Sequence, residues 1–514
     1  MPTVVAKGPS GVPPTSEEIS SLLDTIYTSD SSQKSLDGAY ALTNLLIQGA
    51  GCAGLLNYNI LADVRKGASD KKNGAKRESA MLIAGALFER FPREFPLSEA
   101  VFLLHDGGIL DVVLDALSDK GAVVRDAAQY AIDALFGCLS PEAMVNGLIP
   151  ALERYLAKGS GKWQGFVGAY SLIEKMAVKA QLGKGTKEEE RQKDLLREAM
   201  GKTLKELIPI VESGMHDLKS EVSKQSCKTM TALTTLLSND DVAPRIPLLI
   251  KTMENPSAQT LQKAIHALSQ TTFVAIVTSP VLAMLTPLLA RSLNTPATPQ
   301  ETLRQTVVVV ENLTKLVHDP AEARTFLPKL QPGVKSVKET ASLPEVRELA
   351  TRALDVIETA MGDSHLASGS ISKITPEEVL AVLDAKIQEH GGLGGFGDSK
   401  LQDLAKNFIA GMVREDINCR MHDRITGRVD PYLRGLLADG NTEAVATAVQ
   451  SHYIAEDEIK FGKPIPEDPN EVEIVNADFS LAYGGMLLLS HTNLRLLKGH
   501  RYGLCGRNGA GKST

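Results

Sequence analysis

The nine residues 506–514 have the types and spacing of a phosphate-binding loop. They read GRNGAGKST and contain the pattern G-x-x-x-x-G-K-S. Glycines let successive backbone N–H groups curl around a phosphate, and the lysine reaches the outer phosphates. We therefore predict that Lys512 contacts a bound nucleotide and that Ser513 ligates the accompanying Mg²⁺. The other predicted nucleotide-binding residues of the loop are Gly506, Asn508, Gly509, Ala510, Gly511 and Thr514.

The residues before the loop indicate the element that should hold it. The run 501–505 (RYGLC) is short and suits a buried strand, and a phosphate-binding loop joins such a strand to a helix. The phosphate then lies at the N-terminus of that helix. The sequence ends one turn into it. The alternative interpretation of the motif is a glycine-rich turn without a ligand.

Composition favours helices packed on helices. The chain has 514 residues, of which 43% are hydrophobic and only 4% aromatic, and its formal net charge is −7. Any nucleic-acid contact must therefore come from local basic patches. The five cysteines lie far apart without a C-x-x-C pair, so neither a disulfide framework nor a zinc site is indicated. No apolar stretch reaches the length of a membrane span, and we expect a cytoplasmic or nuclear protein without a membrane partner.

A helical pattern repeats between about residues 35 and 362. One copy begins at Val124 and places apolar or small residues 4, 7, 8 and 11 positions later; copies at Val346 and, early in the chain, at Lys76 share this register. In all three an arginine follows the first residue. Further helices of the series are predicted near Trp163, Val222, Leu261 and Leu303. A period near 40 built from helix pairs resembles HEAT repeats, which stack into a curved solenoid that binds large partners. An ordinary helical bundle is the alternative.

Two further segments follow the repeats. Thr375, Pro376 and two acids are typical of a helix start, and residues 371–459 predict a bundle of four helices. Residues 472–514 change to short apolar runs, at 472–475, 478–483, 487–489 and 494–496, which predict four strands. The predicted domains are a disordered segment 1–34, a solenoid 35–362, the bundle 371–459 and the start of a nucleotide-binding domain 472–514. The predicted fold class is mainly α, with a small α/β part at the end.

The terminal segment resembles the start of an ABC ATPase domain. The resemblance rests on FSLAYG at 479–484 followed by RYGLCGRNGAGKST at 501–514. In that family an aromatic residue before the loop stacks on adenine, and Tyr483 is the matching position; the alternative for Tyr483 is packing on its own sheet. HEAT repeats, four helices and an ABC domain in this order resemble fungal translation elongation factor 3 and the soluble ABC-F proteins. The phrases KWQ at 162–164 and TTFVA at 271–275 add to the resemblance.

The resemblance implies ATP and Mg²⁺ as cofactors and the ribosome, with its rRNA and proteins, as partner. Intact members hydrolyse ATP and help to release deacylated tRNA. Arg507 and Ala510 stand where the elongation factor typically has Pro and Cys, which favours a paralogue linked to mRNA export and late translation, with export factors as further partners. The acids and signature loop that complete hydrolysis lie beyond Thr514, so we expect this chain itself neither to hydrolyse ATP nor to bind it tightly. A non-catalytic HEAT-repeat adaptor with an incidental loop is the rival function.

Two basic sets are candidates for phosphate contacts. The first lies where two early repeat helices join, and it could meet rRNA; a solvated face is the alternative. Its members are Arg65, Lys66, Lys71, Lys72, Lys76 and Arg77. The second lies in the helical bundle and comprises Arg414, Arg420, Arg424 and Arg428.

Overall fold

The chain is mainly α-helical, as predicted, with many of its helices packed as neighbouring pairs. The structure is a computed structural model. It describes residues 11–159, 161–181, 187–237, 239–296, 298–317, 320–362, 374–392, 399–418, 420–434, 437, 441–461, 472–483 and 486–506. The chain divides into two compact units: Met1–Ala169 with Ile371–Pro466, and Tyr170–Ser370 with Glu467–Thr514.

The first unit combines the N-terminal repeats with the helical bundle. Its repeat helices are α1 (Ser16–Tyr27), α2 (Ser32–Gly49), α3 (Gly51–Asn57), α4 (Ile60–Ala68), α5 (Gly74–Glu94), α6 (Ser98–Leu104), α7 (Leu110–Ala116), α8 (Ala122–Cys138), α9 (Pro141–Ala143) and α10 (Ile149–Lys158). Helix α11 (Trp163–Lys179) spans the boundary between the units. The predicted separation of solenoid and bundle therefore differs from this division.

The second unit contains the later repeats and a terminal hairpin. Its helices are α12 (Lys187–Met215), α13 (Ser220–Thr234), α14 (Ile246–Glu254), α15 (Ala258–Ser269), α16 (Ser279–Asn294), α17 (Gln300–Lys315), α18 (Pro320–Phe326), α19 (Gln331–Thr340) and α20 (Pro344–Met361). The bundle helices of the first unit follow in sequence: α21 (Pro376–Glu389), α22 (Ser399–Asn418), α23 (Ile425–Leu433) and α24 (Thr442–Phe461). Short 3₁₀ or π segments lie at His105–Gly107, Met144–Leu148, Ala243–Arg245, Leu327–Lys329 and His422–Arg424.

The predicted helical register accounts for the repeat cores. Helix α8 buries Val124, Ala128 and Leu135 on one face, and α20 buries the equivalent Val346, Ala350 and Ile357. Every start predicted from the repeat lies at or within a few residues of the beginning of an observed helix. Fully burying one such aliphatic side chain stabilises a fold by about 1.5–3 kcal/mol, so these apolar faces stabilise the core of the unit to which each helix belongs.

Helix α5 shows how closely the repeats approach. It packs against both α2 and α8, and every residue from Ser79 to Phe88 is buried. At Gly85 a Cβ would lie only 2.2 Å from a ring carbon of Tyr130. The Tyr130 hydroxyl is 2.8 Å from that of Tyr40 and donates to Glu89 at 2.9 Å. A glycine thus allows a ring on α8 to lie against the backbone of α5.

The helix start predicted at Thr375 is confirmed, and one start was missed. Thr375 accepts from the backbone of Glu378, whose side chain accepts in return, which is a capping box. A second capping box joins Thr15 and Glu18 at the start of α1. Because α1 buries Ile19, Leu23 and Ile26 and packs on α2, the prediction that residues 1–34 are disordered is wrong for residues 16–27, and also for residues 32–34, which begin α2.

The terminal segment forms one hairpin instead of four short strands. Strands β1 (Glu473–Tyr483) and β2 (Met486–Leu497) pair antiparallel, and Tyr483 opposes Met486. The runs 487–489 and 494–496, which were predicted as separate strands, both belong to β2, which continues through residues 490–493. Residues 501–505 are not a strand, which corrects that prediction: Tyr502 and Leu504 are 53% and 73% exposed, so the described sheet does not bury them.

Within the described residues, no single helix has both the length and the apolar composition to cross a membrane. Two sharply bent helix pairs satisfy length and composition alone, α2 with α3 and α8 with the segment Pro141–Lys158.

Candidate functional site

The predicted nucleotide site falls almost wholly outside the described residues. Gly506 is the last residue described, and it is exposed. Asn508, Gly509, Ala510, Gly511, Lys512, Ser513 and Thr514 lie beyond it. Tyr483 ends strand β1, but its side chain also lies outside the described part. The assignment of ATP and Mg²⁺ to these residues therefore stays a prediction from sequence.

The first basic set, by contrast, is described in full. It spans the end of α4, the following loop and the first turn of α5. The loop turns because the Asp70 carboxylate accepts from the backbone N–H groups of Lys72 and Asn73, both at 2.9 Å. The Asn73 side chain then caps α5 by accepting from the backbone of Lys76. These bonds fix the backbone on which the lysines stand.

Arg77 joins two neighbouring repeats. Its Nε and Nη2 donate to the two carboxylate oxygens of Asp119 at 2.6 and 3.0 Å. Its Nη1 donates to the backbone carbonyl of Asp70 at 2.9 Å. Only 18% of the Arg77 side chain and 13% of the Asp119 side chain are exposed, and the fork lowers the pKa of Asp119. A bidentate, partly buried pair of this kind is structural.

Arg65 and Lys76 also have partners within the repeats. Arg65 donates to the backbone carbonyl of Gly108 and lies 3.8 Å from a carboxylate oxygen of Asp111. The Lys76 ammonium lies over the ring of Tyr27, 5.3 Å from its centroid. Three of the six predicted phosphate contacts, Arg65, Lys76 and Arg77, thus have partners within the repeats.

The other three, Lys66, Lys71 and Lys72, are exposed and make no ion pair with any residue that the structure describes. Lys120 and Lys162, which are also exposed, lie close to the Arg77–Asp119 pair. Lys120 follows Asp119 directly, and Lys162 contributes to lowering the pKa of Asp119 after the larger effect of Arg77. We call these five exposed lysines the lysine edge. The last two lie outside the basic run predicted from the sequence, although each lies in the loop before a helix of the predicted repeat.

Two arginines of the bundle set, Arg420 and Arg428, are paired with acids. Arg420 Nε lies 2.6 Å from Asp457, which His422 also approaches at 3.0 Å. Arg428 lies 2.7 Å from Asp416 and 3.5 Å from Glu142. These contacts do not support a phosphate-binding role for Arg420 and Arg428.

A buried polar cluster joins the bundle to the N-terminal repeats. The Glu99 carboxylate on α6 accepts from the backbone N–H and the hydroxyl of Ser140 at 2.7 and 2.8 Å, and from the Tyr432 hydroxyl at 2.9 Å. Glu99 is 2% exposed, and burial raises its pKa to about 7 although the three hydrogen bonds lower it. We call Glu99, Ser140 and Tyr432 the Glu99 cluster. No sequence signal pointed to it.

Comparison with known families identifies the repeats. Residues 37–184 match the family described as EF3 N-terminal HEAT repeat, and residues 259–368 match the family described as Elongation factor 3/GNC1 HEAT repeat. A solved structure of importin beta aligns with 87% of this chain at 13% identity, but its TM-score of 0.29 is too low to support an argument.

Curated relatives match most of the chain. It is 36% identical to [NU+] prion formation protein 1 of Saccharomyces cerevisiae, over 89% of this chain and 36% of that protein. It is 34% identical to mRNA export factor elf1 of Schizosaccharomyces pombe, over 97% of this chain and 45% of that protein. It is 32% identical to Elongation factor 3 of Mycosarcoma maydis, over 97% and 44%. The chain thus spans less than half the length of these relatives. Its two HEAT-repeat matches, together with these relatives, show that it belongs to the elongation factor 3 family.

Proposed function

We propose that this chain supplies the ribosome-binding HEAT repeats and the first phosphate-binding loop of an ATP-driven factor in translation elongation. The observation that carries the proposal is the match of both repeat segments to elongation factor 3 families. In this proposal the factor uses ATP and Mg²⁺, with Lys512 and Ser513 at the phosphates, to release deacylated tRNA from the cytoplasmic ribosome.

A second function is favoured by a different observation. The relative named mRNA export factor elf1 is 34% identical to this chain, and Elongation factor 3 of Mycosarcoma maydis is 32% identical, each over 97% of this chain. We therefore keep mRNA export, with late steps of translation, as the second candidate; it adds export factors as partners and the nucleus as a location. A pure adaptor role leaves the loop motif at 506–513 without an explanation.

We further propose that the lysine edge contacts rRNA phosphates. Lys71 and Lys72 stand on the loop that the Asp70 turn fixes, and Lys120 follows Asp119, which the Arg77 fork holds. Lys66 lies in the last turn of α4, and Lys162 lies directly before α11. Lysines that neutralise phosphates release counterions, so affinity falls with salt by a slope of about 0.7–0.9 per phosphate contacted. Exposed lysines on a fixed edge suit such contacts, because they bind a charge and not a base sequence.

The test compares two triple variants of the full chain for binding to purified Saccharomyces cerevisiae ribosomes. Lys66, Lys71 and Lys72 are changed together to Gln; the matched control changes three exposed lysines of the other unit, Lys224, Lys335 and Lys338. We expect the first variant to bind more weakly and its salt slope to fall by about 2. Equal binding by the two variants would reject the lysine edge, and failure of the wild-type chain to sediment with ribosomes would reject ribosome binding itself.

The ATP-dependent step needs a separate assay because the chain spans less than half of its relatives. It uses the full gene product that contains this chain and ribosomes loaded with deacylated tRNA in the exit site. Lys512→Ala should abolish ATP-stimulated release while leaving ribosome binding intact. Release that is independent of ATP, or unchanged in Lys512→Ala, would reject the elongation function and favour the export candidate or the adaptor.

A further inference from the structure

The Glu99 cluster is assembled from chain segments far apart in sequence. Glu99 and Ser140 belong to the N-terminal repeats, whereas Tyr432 lies on α23 of the bundle, 333 residues after Glu99. The Tyr432 hydroxyl is also 3.0 Å from that of Ser140, and its ring packs on Phe408 of α22 at a centroid distance of 5.2 Å. Glu99 is 2% exposed, and the bundle contributes to covering it through the Tyr432 hydroxyl and the packing of α22 on α6.

Charged groups from both the repeats and the bundle lie near the cluster. Glu142, two residues after Ser140, disfavours a negative charge on Glu99, while Tyr432 is the other titratable group in contact. Arg428 lies between Glu142 and Asp416 and pairs with both, so its charge is shared by two acids. Because the cation is already engaged, an ionised Glu99 is balanced by hydrogen bonds alone and not by a full positive charge.

We propose that the Glu99 cluster is a proton-controlled clasp, which holds the helical bundle on the N-terminal repeats more tightly when Glu99 is protonated. The reason is a difference in solvation. With the bundle in place, Glu99 is sealed from water, and a buried carboxylate favours its neutral form. When α23 moves away, water reaches the carboxylate and the charged form becomes favourable.

The direction of the pH effect follows from this difference. Burial places the pKa of Glu99 near 7 in the docked state, against an ordinary value of 4.5. The docked state therefore binds a proton more tightly, so docking is strengthened as pH falls through 7 and the effect is complete below 4.5. If Glu99 becomes fully hydrated on undocking, the docking equilibrium changes by about tenfold between pH 8 and pH 6.

The experiment measures amide hydrogen exchange of residues 425–433 in the full chain at pH 6, 7 and 8, corrected for the intrinsic rate at each pH. In the wild-type chain the protection of α23 should rise up to about tenfold from pH 8 to pH 6. Glu99→Gln keeps the shape and removes the titration, so its protection should not vary with pH. Tyr432→Phe keeps the ring on Phe408 but loses one donor, and it serves if Glu99→Gln does not fold.

The matched control is Glu89→Gln. Glu89 also accepts from two tyrosine hydroxyls, those of Tyr40 and Tyr130, but it lies within the repeats and away from the bundle. Glu89→Gln should keep the wild-type pH response of α23, and Tyr432→Phe should change it. A wild-type protection that is flat between pH 6 and 8 would overturn the proposal. So would a pH response that persists unchanged in Glu99→Gln or Tyr432→Phe.

Discussion

Replacing Arg77 by Ala should destabilise the N-terminal repeats without altering the salt dependence of ribosome binding. Arg77 makes three hydrogen bonds of 2.6–3.0 Å, one to Asp70 in the α4–α5 loop and two to Asp119 in the loop between α7 and α8. A hydrogen bond to a charged group contributes about 1.5–3 kcal/mol. Since the pair is only partly buried, we expect the whole fork to contribute about 2–3 kcal/mol rather than the sum.

A double-mutant cycle with Asp119→Ala isolates this pair. Asp119 also accepts from the backbone of Gly121 at 2.8 Å, so Asp119→Ala loses that bond in addition. The coupling energy between the two changes should be about 1–2 kcal/mol. Arg77→Lys should recover only part of the stability, because an ammonium cannot form the fork. The control Lys72→Ala, at an exposed position, should stay within about 0.5 kcal/mol.

Local free energies from hydrogen exchange in α5 and α8 are the suitable measurement, because two compact units need not unfold together. Ribosome binding by Arg77→Ala is followed over a range of salt concentrations. A stable Arg77→Ala protein with a reduced salt slope would refute the structural role, since it would show that Arg77 meets a phosphate. A coupling energy near zero would refute the pair itself.

Two further changes test packing and capping. Gly85→Ala places a Cβ 2.2 Å from the Tyr130 ring and should destabilise the repeats by about 1–3 kcal/mol in thermal or urea unfolding. The control Gly137→Ala, with nothing within 4 Å, should stabilise α8 by up to about 1 kcal/mol, and equal effects at the two sites would contradict the close approach. Thr375→Ala removes the hydroxyl that accepts from the backbone of Glu378 and should destabilise the start of α21 by about 1 kcal/mol. Unchanged exchange of the amides in that turn would show that the cap contributes nothing.

The register of the repeat helices was predicted correctly from the sequence, and for the role of Arg77 it was a better guide than the local run of basic residues. The sequence aligns Arg77 with Arg125 and Arg347. In the structure all three donate from Nη1 to a backbone carbonyl of the loop before their helix, at 2.9, 2.8 and 2.7 Å. The aligned arginine is therefore a structural residue of the repeat, whereas the sequence prediction followed the basic run and assigned Arg77 to a phosphate contact. The role of a charged residue in a repeat should therefore be predicted first from the residues at the same position of the other repeats, and only then from its neighbours in sequence.

Local composition misled the prediction at both ends of the chain. The N-terminus is rich in Pro, Gly and Ser, yet Thr15 and Glu18 form a capping box before three apolar residues at helical spacing. At the other end, residues 501–505 have the types of a buried strand, but burial requires neighbouring strands that no local pattern supplies. A helix start is encoded within one turn, whereas the burial of a strand depends on its partners.

The attachment of the bundle shows why a tertiary contact of this kind escapes a sequence argument. Glu99 lies in the first turn of α6, where an acid is expected to face water and favour the helix dipole. Here it is buried, and one of its three hydrogen-bond donors is a tyrosine 333 residues later. Apolar packing such as that of Tyr432 on Phe408 tolerates small shifts, whereas one carboxylate accepting three donors fits a single arrangement. A buried polar group adds little net stability, so we expect the main effect of this cluster to be on which register of the bundle on the repeats is favoured.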